Sequence, residues 1–120
     1  IDHGVRSVED PALMRRLAQE QIPLTVCPLS NIRLCVFPTM QQHNLPALMD
    51  AGLCITVNSD DPAYFGGFIN ENLLHVQPQL SPRHFYTLLR NSLQASFASA
   101  ADKARWQEQL QAHWQAVLSN

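Results

Sequence analysis

The sequence predicts an α/β fold built on a parallel β-sheet, and two apolar segments are the main reason. Residues 22–27 and 53–57 are short, apolar and partly β-branched, as is typical of strands buried on both faces. Each directly follows a segment with helical character. Strands that alternate with helices in this way indicate a parallel sheet covered by helices.

The first helix is predicted to begin at Asp10 and Pro11. Aspartate is a favoured N-cap residue, and proline suits the first helical turn. Apolar residues then recur at helical spacing, namely Leu13, Met14, Leu17 and Ala18. This pattern predicts a helix with one apolar face, followed by the strand at 22–27, which Pro28 closes.

The connection between the two strands is predicted to be irregular at first and helical later. Residues 29–44 have no clear hydrophobic period and include Pro38. A loop of this length is unusual, and long loops are often functional. Residues 45–50 then predict a short helix closed by Gly52, just before the second strand.

The region beyond the second strand is predicted to be polar and then helical. A polar cluster at 58–62 leads to Gly66 and Gly67, and a helix is expected over 69–75. Ser81 and Pro82 predict the cap of a longer helix, whose apolar stripe is Phe85, Leu88, Leu89, Leu93 and Phe97. The last helix is expected to open at Asp102, with one face formed by Trp106, Leu110, Trp114, Val117 and Leu118.

The predicted sheet is too small to be complete. Two strands, or three with a fragment at Ile1, cannot cover both faces of a parallel sheet or pair its edges. Residues 1–120 are therefore expected to form a single partial domain whose sheet continues elsewhere. The start at Ile1 rather than Met favours a truncated product, and exposed strand edges make self-association possible.

Composition argues against several classes of partner. Eight basic against ten acidic residues give a formal net charge of -2, so nucleic acid and anionic membranes are not expected partners. The sequence has no leader pattern and no apolar stretch near the roughly 20 residues of a membrane helix. Its three cysteines lack CxxC spacing, which favours a reducing cytoplasm over a disulfide framework.

Three side chains at predicted strand ends are candidates for chemistry. In parallel α/β barrels, catalytic groups follow the carboxyl ends of strands, where His3, Asp60 and Asp61 lie. The alternative is structural: Asp61 caps a turn begun by Pro62, Asp60 is solvated, and His3 is an ordinary histidine. Cys27 could also approach this pocket, although a buried inert thiol is favoured.

Three motifs in order resemble one family. The segments are Asp2-His3-Gly4, Cys27-Pro28-Leu29-Ser30-Asn31 and Val57-Asn58-Ser59-Asp60-Asp61-Pro62. Together they resemble the adenosine and adenine deaminases, zinc hydrolases built on a (β/α)8 barrel. The sequence segments at 34–37, 43–46 and 63–67 look more like those of the adenine deaminase branch. The resemblance implies that this chain corresponds to the last three of the family's eight β/α units.

The resemblance also implies roles for the candidates. Asp60 would ligate zinc, Asp61 would hydrogen-bond the purine ring, and His3 would orient or deprotonate the zinc-bound water. The expected reaction is hydrolysis of adenine, a small purine substrate, to hypoxanthine and ammonia in purine salvage.

The chain departs from the family in its metal ligands. The family's His-x-His, its further ligand histidine and its His-x-x-Glu region have no counterpart here. Because a zinc site needs at least three protein ligands, the isolated chain is expected to be inactive and to bind zinc weakly. Adenosine deaminase activity, and a noncatalytic product that docks on another barrel half, are the alternatives.

Overall fold

A computed structural model describes residues 1–119, which form an α/β structure rich in helices. Its two strands are β1 (Leu24–Val26) and β2 (Ile55–Val57). Its α-helices are α1 (Pro11–Glu20), α2 (Pro28–Arg33), α3 (Leu45–Asp50), α4 (Pro62–Phe65), α5 (Ile69–Val76), α6 (Pro82–Ala95) and α7 (Ala100–Leu118). Short 3-10 helices occupy Val5–Glu9, Met40–Gln42 and Gln77–Gln79.

The sheet is parallel, as the sequence predicts. Leu24 pairs with Ile55 and Val26 with Val57. On the other side of β1, Asp2 forms a single parallel bridge with Thr25. The order in space is therefore the order in sequence, from the Asp2 segment through β1 to β2.

The first segment is anchored to β1 by backbone hydrogen bonds. The His3 N–H donates to the Thr25 carbonyl at 3.0 Å, and the Thr25 N–H donates to the Ile1 carbonyl at 2.9 Å. The amino group of Ile1 also donates to the Pro23 carbonyl at 2.8 Å. These bonds fix the position from which His3 leaves the sheet.

Both strands are shorter than their apolar segments because the first residues of each segment are hydrogen-bonded to the end of the preceding helix. The Ile22 N–H donates to Leu17 and the Leu53 N–H donates to Leu48, so both residues belong to helix ends. Pro23 has no N–H to offer a neighbouring strand. The prediction of strands at 22–27 and 53–57 was therefore right in type and too long.

The region 29–44 is less irregular than predicted. Helix α2 begins at Pro28, and its first hydrogen bond runs from the Asn31 N–H to the Cys27 carbonyl. Pro28 does close the strand, but it does so as the first residue of a helix, where proline is favoured. The irregular part is confined to the residues around Phe37 and Pro38.

Side-chain caps set the starts of the longer helices. Asp10 accepts hydrogen bonds from the Ala12 and Leu13 N–H groups, and Ser81 accepts from His84, both as predicted. The start of α7 was predicted wrongly at Asp102, because Ser99 is the N-cap. The Ser99 hydroxyl accepts from the Asp102 N–H and donates to the Asp102 carboxylate, so Ser99 satisfies one of the free N–H groups at the start of the helix.

The core lies between the sheet and the helices that cover it. Its buried apolar residues are Val5, Leu17, Leu24, Val26, Leu45, Leu48, Met49, Leu53, Ile55, Val57, Val76 and Leu88. The predicted stripe of α6 contributes only Leu88 at full burial, and Phe97 lies beyond the helix, fully exposed. On α7, Val117 and Leu118 are also exposed, so the predicted single apolar face does not extend to its end.

Two open apolar hollows flank the sheet. The first, about 530 Å³, lies beside the Asp2 segment and is lined by Ile1, Leu13, Leu34 and Val36, among others. The second, about 600 Å³, lies beyond β2 between α5, α6 and α7. None of the described helices is both long and apolar enough to cross a membrane.

Candidate active site

The carboxyl ends of the parallel strands bring His3 and Asp60 together. His3 directly follows the Asp2 bridge, and Asp60 follows β2. The His3 Nε2 atom lies 3.6 Å from the Asp60 Oδ2 atom. Their side chains retain 37% and 26% of full exposure, so both can be reached by a ligand from solvent.

Backbone geometry aims both side chains. His3 and Asp60 have φ angles of 52° and 57°, in the left-handed region that few non-glycine residues adopt. The Asp61 N–H donates to Asp60 Oδ1 at 2.8 Å. This hydrogen bond leaves Oδ2 as the oxygen that faces His3.

Cys27 adds a third ligand atom to the pair. One ligand atom each from His3, Cys27 and Asp60 lies within 4.8 Å of the other two. Burial, and secondarily the charge of Asp60, raises the pKa of the Cys27 thiol to about 11. The thiol is therefore protonated at neutral pH, and it is both buried and next to the candidate site.

Asp61 is turned toward the start of α4. Its Oδ1 atom accepts hydrogen bonds from the Ala63 and Tyr64 N–H groups at 3.0 and 3.1 Å. The structural alternative, an N-cap, therefore describes the observed contacts of this carboxylate. The purine-binding role predicted for Asp61 stays a prediction.

Two side chains that the sequence did not single out contact His3 directly or through a neighbour. The Asn31 Nδ2 atom lies 3.3 Å from His3 Nδ1, and Asn31 Oδ1 lies 3.1 Å from His43 Nε2. The Leu45 N–H donates to His43 Nδ1 at 3.0 Å. Asn31 and His43 are 2% and 4% exposed, so this network is shielded from water.

These two residues could have been found from the sequence only in part. Asn31 belongs to the motif that carries the family resemblance, and it received no role there. His43 lies in the segment 29–44, which the sequence predicts to be irregular at first, and as a loop histidine it is predicted to be structural or exposed. Its link to His3 depends on the tertiary fold, which the spacing does not encode.

The donor atoms of the cluster suit zinc. Imidazole nitrogen, cysteine sulfur and carboxylate oxygen are the protein ligands that zinc takes. Among the described residues, His3, Cys27 and Asp60 form the group whose ligand atoms are close enough to share one ion. Asp60 Oδ2 accepts no short hydrogen bond within the described residues, so it can bind a cation.

Comparisons with known sequences point to one family. A family model described as adenosine deaminase matches residues 1–113. An adenine deaminase from Hahella chejuensis is 60% identical over 107 residues, which are 88% of this chain and 32% of that protein. An adenine deaminase from Paraburkholderia xenovorans is 51% identical over 116 residues, 95% of this chain and 33% of that protein.

Solved structures agree with this comparison. The crystal structure of an adenine deaminase from Arthrobacter aurescens superposes with a TM-score of 0.92 at 44% identity, covering 96% of this chain and 36% of that one. A zinc-bound amidohydrolase from Burkhoderia ambifaria superposes with a TM-score of 0.86 at 22% identity, covering 98% and 34%. At that identity the second match supports the fold alone.

The chain spans about a third of the length of the curated relatives that it matches. The family model covers nearly all of it, including the three motifs that carry the resemblance. The resemblance inferred from those motifs is confirmed: this chain belongs to the adenosine deaminase family.

Proposed function

We propose that the chain supplies the C-terminal part of a zinc-dependent adenine deaminase. In the complete protein, adenine and water would give hypoxanthine and ammonia, in purine salvage. The convergence of His3 and Asp60 at the carboxyl end of the parallel sheet, on either side of β1, carries this proposal. The adenine deaminase names of relatives at 50 to 60% identity favour adenine over adenosine.

The chain would form about three of the eight units of a (β/α)8 barrel, as one partial domain over 1–120. Parallel strands in sequential order suit a barrel wall. The two apolar hollows on either side of the sheet suit burial against the remaining units. The chain covers about a third of the length of each relative, which is close to the share that three of eight barrel units would make up.

Asp60 would hold the zinc ion, with further ligands from the remaining units. When bound, zinc acts as a Lewis acid that makes water a nucleophile near neutral pH. The protonated Cys27 thiol would stay a neighbour of this site. Because His3 would act on the water and the Cys27 thiol is protonated, Asp60 would be the one zinc ligand from this chain, and we expect the isolated chain to bind zinc weakly and to be inactive.

His3 and Asp61 would act on the water and the purine. His3 would orient the attacking water or take its proton, since its Nε2 atom faces Asp60. The Oδ1 atom of Asp61 is engaged at α4, so Oδ2 would hydrogen-bond the purine ring. A ring that lacked the matching donor would leave this carboxylate unpaired, which is a source of specificity.

The remaining proposals follow from composition. A net charge of -2 and three free cysteines suit a cytoplasmic enzyme that acts on a small molecule and binds neither nucleic acid nor membrane.

The second candidates for the function are adenosine deaminase activity and a noncatalytic product that docks on another barrel half.

A chimera tests the proposal. In the Hahella chejuensis adenine deaminase, the matching segment would be replaced by this chain, and ammonia release would be measured with adenine and with adenosine. We expect adenine to be preferred and one zinc to be bound. Asp60→Asn should remove most of the zinc and lower kcat/KM by about 10²- to 10³-fold, the range for loss of one group that stabilises developing charge.

Asp102→Asn is the matched control, because it removes a carboxylate at the start of α7, far from the cluster along the chain. It should keep both zinc and activity. A folded chimera that prefers adenosine, or one that retains zinc after Asp60→Asn, would overturn the proposal. Zinc and ammonia release by the isolated chain would overturn the expectation that it is incomplete.

A further inference from the structure

The network behind His3 has one backbone donor whose role is unambiguous. The Leu45 N–H donates to His43 Nδ1 at 3.0 Å, so that nitrogen must carry a lone pair. Burial lowers the pKa of His43 to about 4, and the ring is therefore neutral at physiological pH. A neutral imidazole with a bare Nδ1 carries its proton on Nε2.

This proton determines which way the Asn31 amide points. The His43 Nε2–H must donate to the Asn31 atom 3.1 Å away, and only the carboxamide oxygen accepts. The Asn31 amino group then faces His3 Nδ1 at 3.3 Å. The amide orientation thus follows from a backbone donor rather than from a choice between two similar atoms.

The direction continues to His3. An amino group can only donate, so His3 Nδ1 must accept. The ring hydrogen therefore lies on Nε2, which faces Asp60. We propose that Asn31 and His43 are positioning residues that fix His3 as the Nε2–H tautomer. Asn31 is 2% exposed, so water does not readily replace either of its hydrogen bonds.

The inference rests on the proposed function for its catalytic meaning and deepens it. Two roles are open for His3, orienting the attacking water or deprotonating it. A ring that carries hydrogen on Nε2 donates from that atom and has no lone pair there to accept a proton. In this tautomer His3 therefore orients its neighbour by donating a hydrogen bond.

The test measures the tautomer itself and requires no turnover. Histidine-selective ¹⁵N labelling of the chain, in chelator at neutral pH, distinguishes protonated from bare ring nitrogens through their couplings to the ring C–H protons. We expect His3 and His43 both to carry hydrogen on Nε2. Histidine in water already prefers this form, so its presence in the parent protein does not test the proposal. The variants provide that test.

Asn31→Asp is the decisive variant. An isosteric carboxylate accepts from both neighbours, so it keeps the His43 bond and draws hydrogen to His3 Nδ1. We expect the Nδ1–H signal of His3 to become the major one, a change of about tenfold or more in the tautomer ratio, as expected for one buried hydrogen bond. Asn70→Asp, which adds the same charge at an exposed position of α5, should leave His3 unchanged.

A pair of substitutions at His43 tests the second step. The carboxamide introduced by His43→Gln can still donate to the Asn31 oxygen, so this variant should preserve the His3 tautomer. His43→Phe removes that donor, so the amide can turn, and the Nδ1–H fraction of His3 should rise several-fold. If Asn31→Asp and His43→Phe both leave His3 unchanged, the proposal is wrong.

The tautomer measurement can be interpreted separately from the folding of the isolated chain and from deaminase activity. The same labelling in the chimera provides the measurement where a variant of the isolated chain fails to fold. An inactive chimera in which Asn31→Asp still switches the tautomer would sink the deaminase proposal and leave the network intact. An active chimera with an unchanged tautomer would do the reverse.

Discussion

His3 and Asp60 leave the carboxyl end of the sheet on either side of β1, and both have a left-handed backbone conformation, with φ angles of 52° and 57°. Each such residue costs on the order of 1 kcal/mol, and such residues persist where the surrounding structure holds them. The result here is a separation of 3.6 Å between His3 Nε2 and Asp60 Oδ2. Backbone strain at both strand ends therefore coincides with the candidate site.

Gly4 holds the turn that follows His3. Its φ is 75°, and a Cβ atom at this position would lie 2.9 Å from both terminal carbons of Leu24. Gly4→Ala should lower the free energy of unfolding by roughly 2–4 kcal/mol, the sum of a backbone penalty and core overpacking. Urea unfolding monitored by circular dichroism would measure this loss.

Gly52→Ala is the matched control for Gly4. Gly52 has a φ of 81° with open space where its Cβ would be, so only the backbone penalty of about 1 kcal/mol applies. Equal losses in the two variants would show that the contact with Leu24 does not matter.

Acid should destabilise the fold through His43. Burial lowers its folded pKa from 6.5 to about 4, so between these values the unfolded chain binds a proton that the folded chain does not. The contribution of His43 to the free energy of unfolding is therefore fully present above about pH 6.5, and it falls as the pH drops toward 4. From pH 7 to pH 5 the loss from this one group is roughly 2 kcal/mol.

His43→Gln provides the comparison for the pH effect. Its unfolding free energy should fall less than that of the parent between pH 7 and pH 5, by the contribution of the missing imidazole. Identical pH dependence in the two proteins would mean that His43 titrates normally in the folded state.

Cys27 should resist alkylation. Its pKa of about 11 leaves about one thiol in a thousand ionised at pH 8, and the thiolate is the reactive form. The exposed Cys35 should react with iodoacetamide at least about 100-fold faster, as followed by mass spectrometry of the peptides.

Asp60→Asn should accelerate the alkylation of Cys27 several-fold, because the Asp60 charge contributes to the raised pKa. Asp102→Asn removes a distant charge and should leave the rate unchanged. Equal rates for Cys27 in the parent and Asp60→Asn would mean that Asp60 does not act on the thiol.

The cap made by Asp61 can be separated from its proposed contact with the purine. Asp61→Ala should lower the free energy of unfolding by about 1 kcal/mol, because the Ala63 and Tyr64 N–H groups lose their acceptor. Asp61→Asn retains a capping oxygen and should be nearly neutral for stability. In the chimera both variants should lose activity on adenine; full activity in Asp61→Asn would exclude a role for the charge.

Self-association should depend on the hollow beside the Asp2 segment. Leu34 and Val36 line it and are 56% and 44% exposed. Replacing both by lysine should shift the isolated chain toward the monomer in sedimentation velocity, because charge opposes apolar contact. Leu74→Lys changes a residue that is 65% exposed elsewhere, and it should not have this effect; equal shifts would argue against a specific surface.

The sequence is most informative where local chemistry decides the structure. Asp10 and Ser81 cap helices as predicted because an N-cap needs only its own side chain and the next few N–H groups. The helix at Leu45–Asp50 has the predicted bounds. Periodicity and capping are local, so they can be read along the chain.

Features decided by tertiary contacts were predicted less well. Ile22 and Leu53 look like strand residues but complete helix ends through bonds to Leu17 and Leu48. The positions of His3 and Asp60 followed from strand-end logic, whereas the partners Asn31 and His43 depend on how α2 folds back toward the sheet. Phe97 matched a helical stripe, but the helix ends at Ala95.

The bond from the Ile1 nitrogen to the Pro23 carbonyl has a practical consequence for expression. A peptide N–H can make the bond that the free ammonium makes, and Pro23 requires no partner for a nitrogen-bound hydrogen. A fusion or affinity tag joined directly before Ile1 can therefore preserve the attachment of the segment that carries His3.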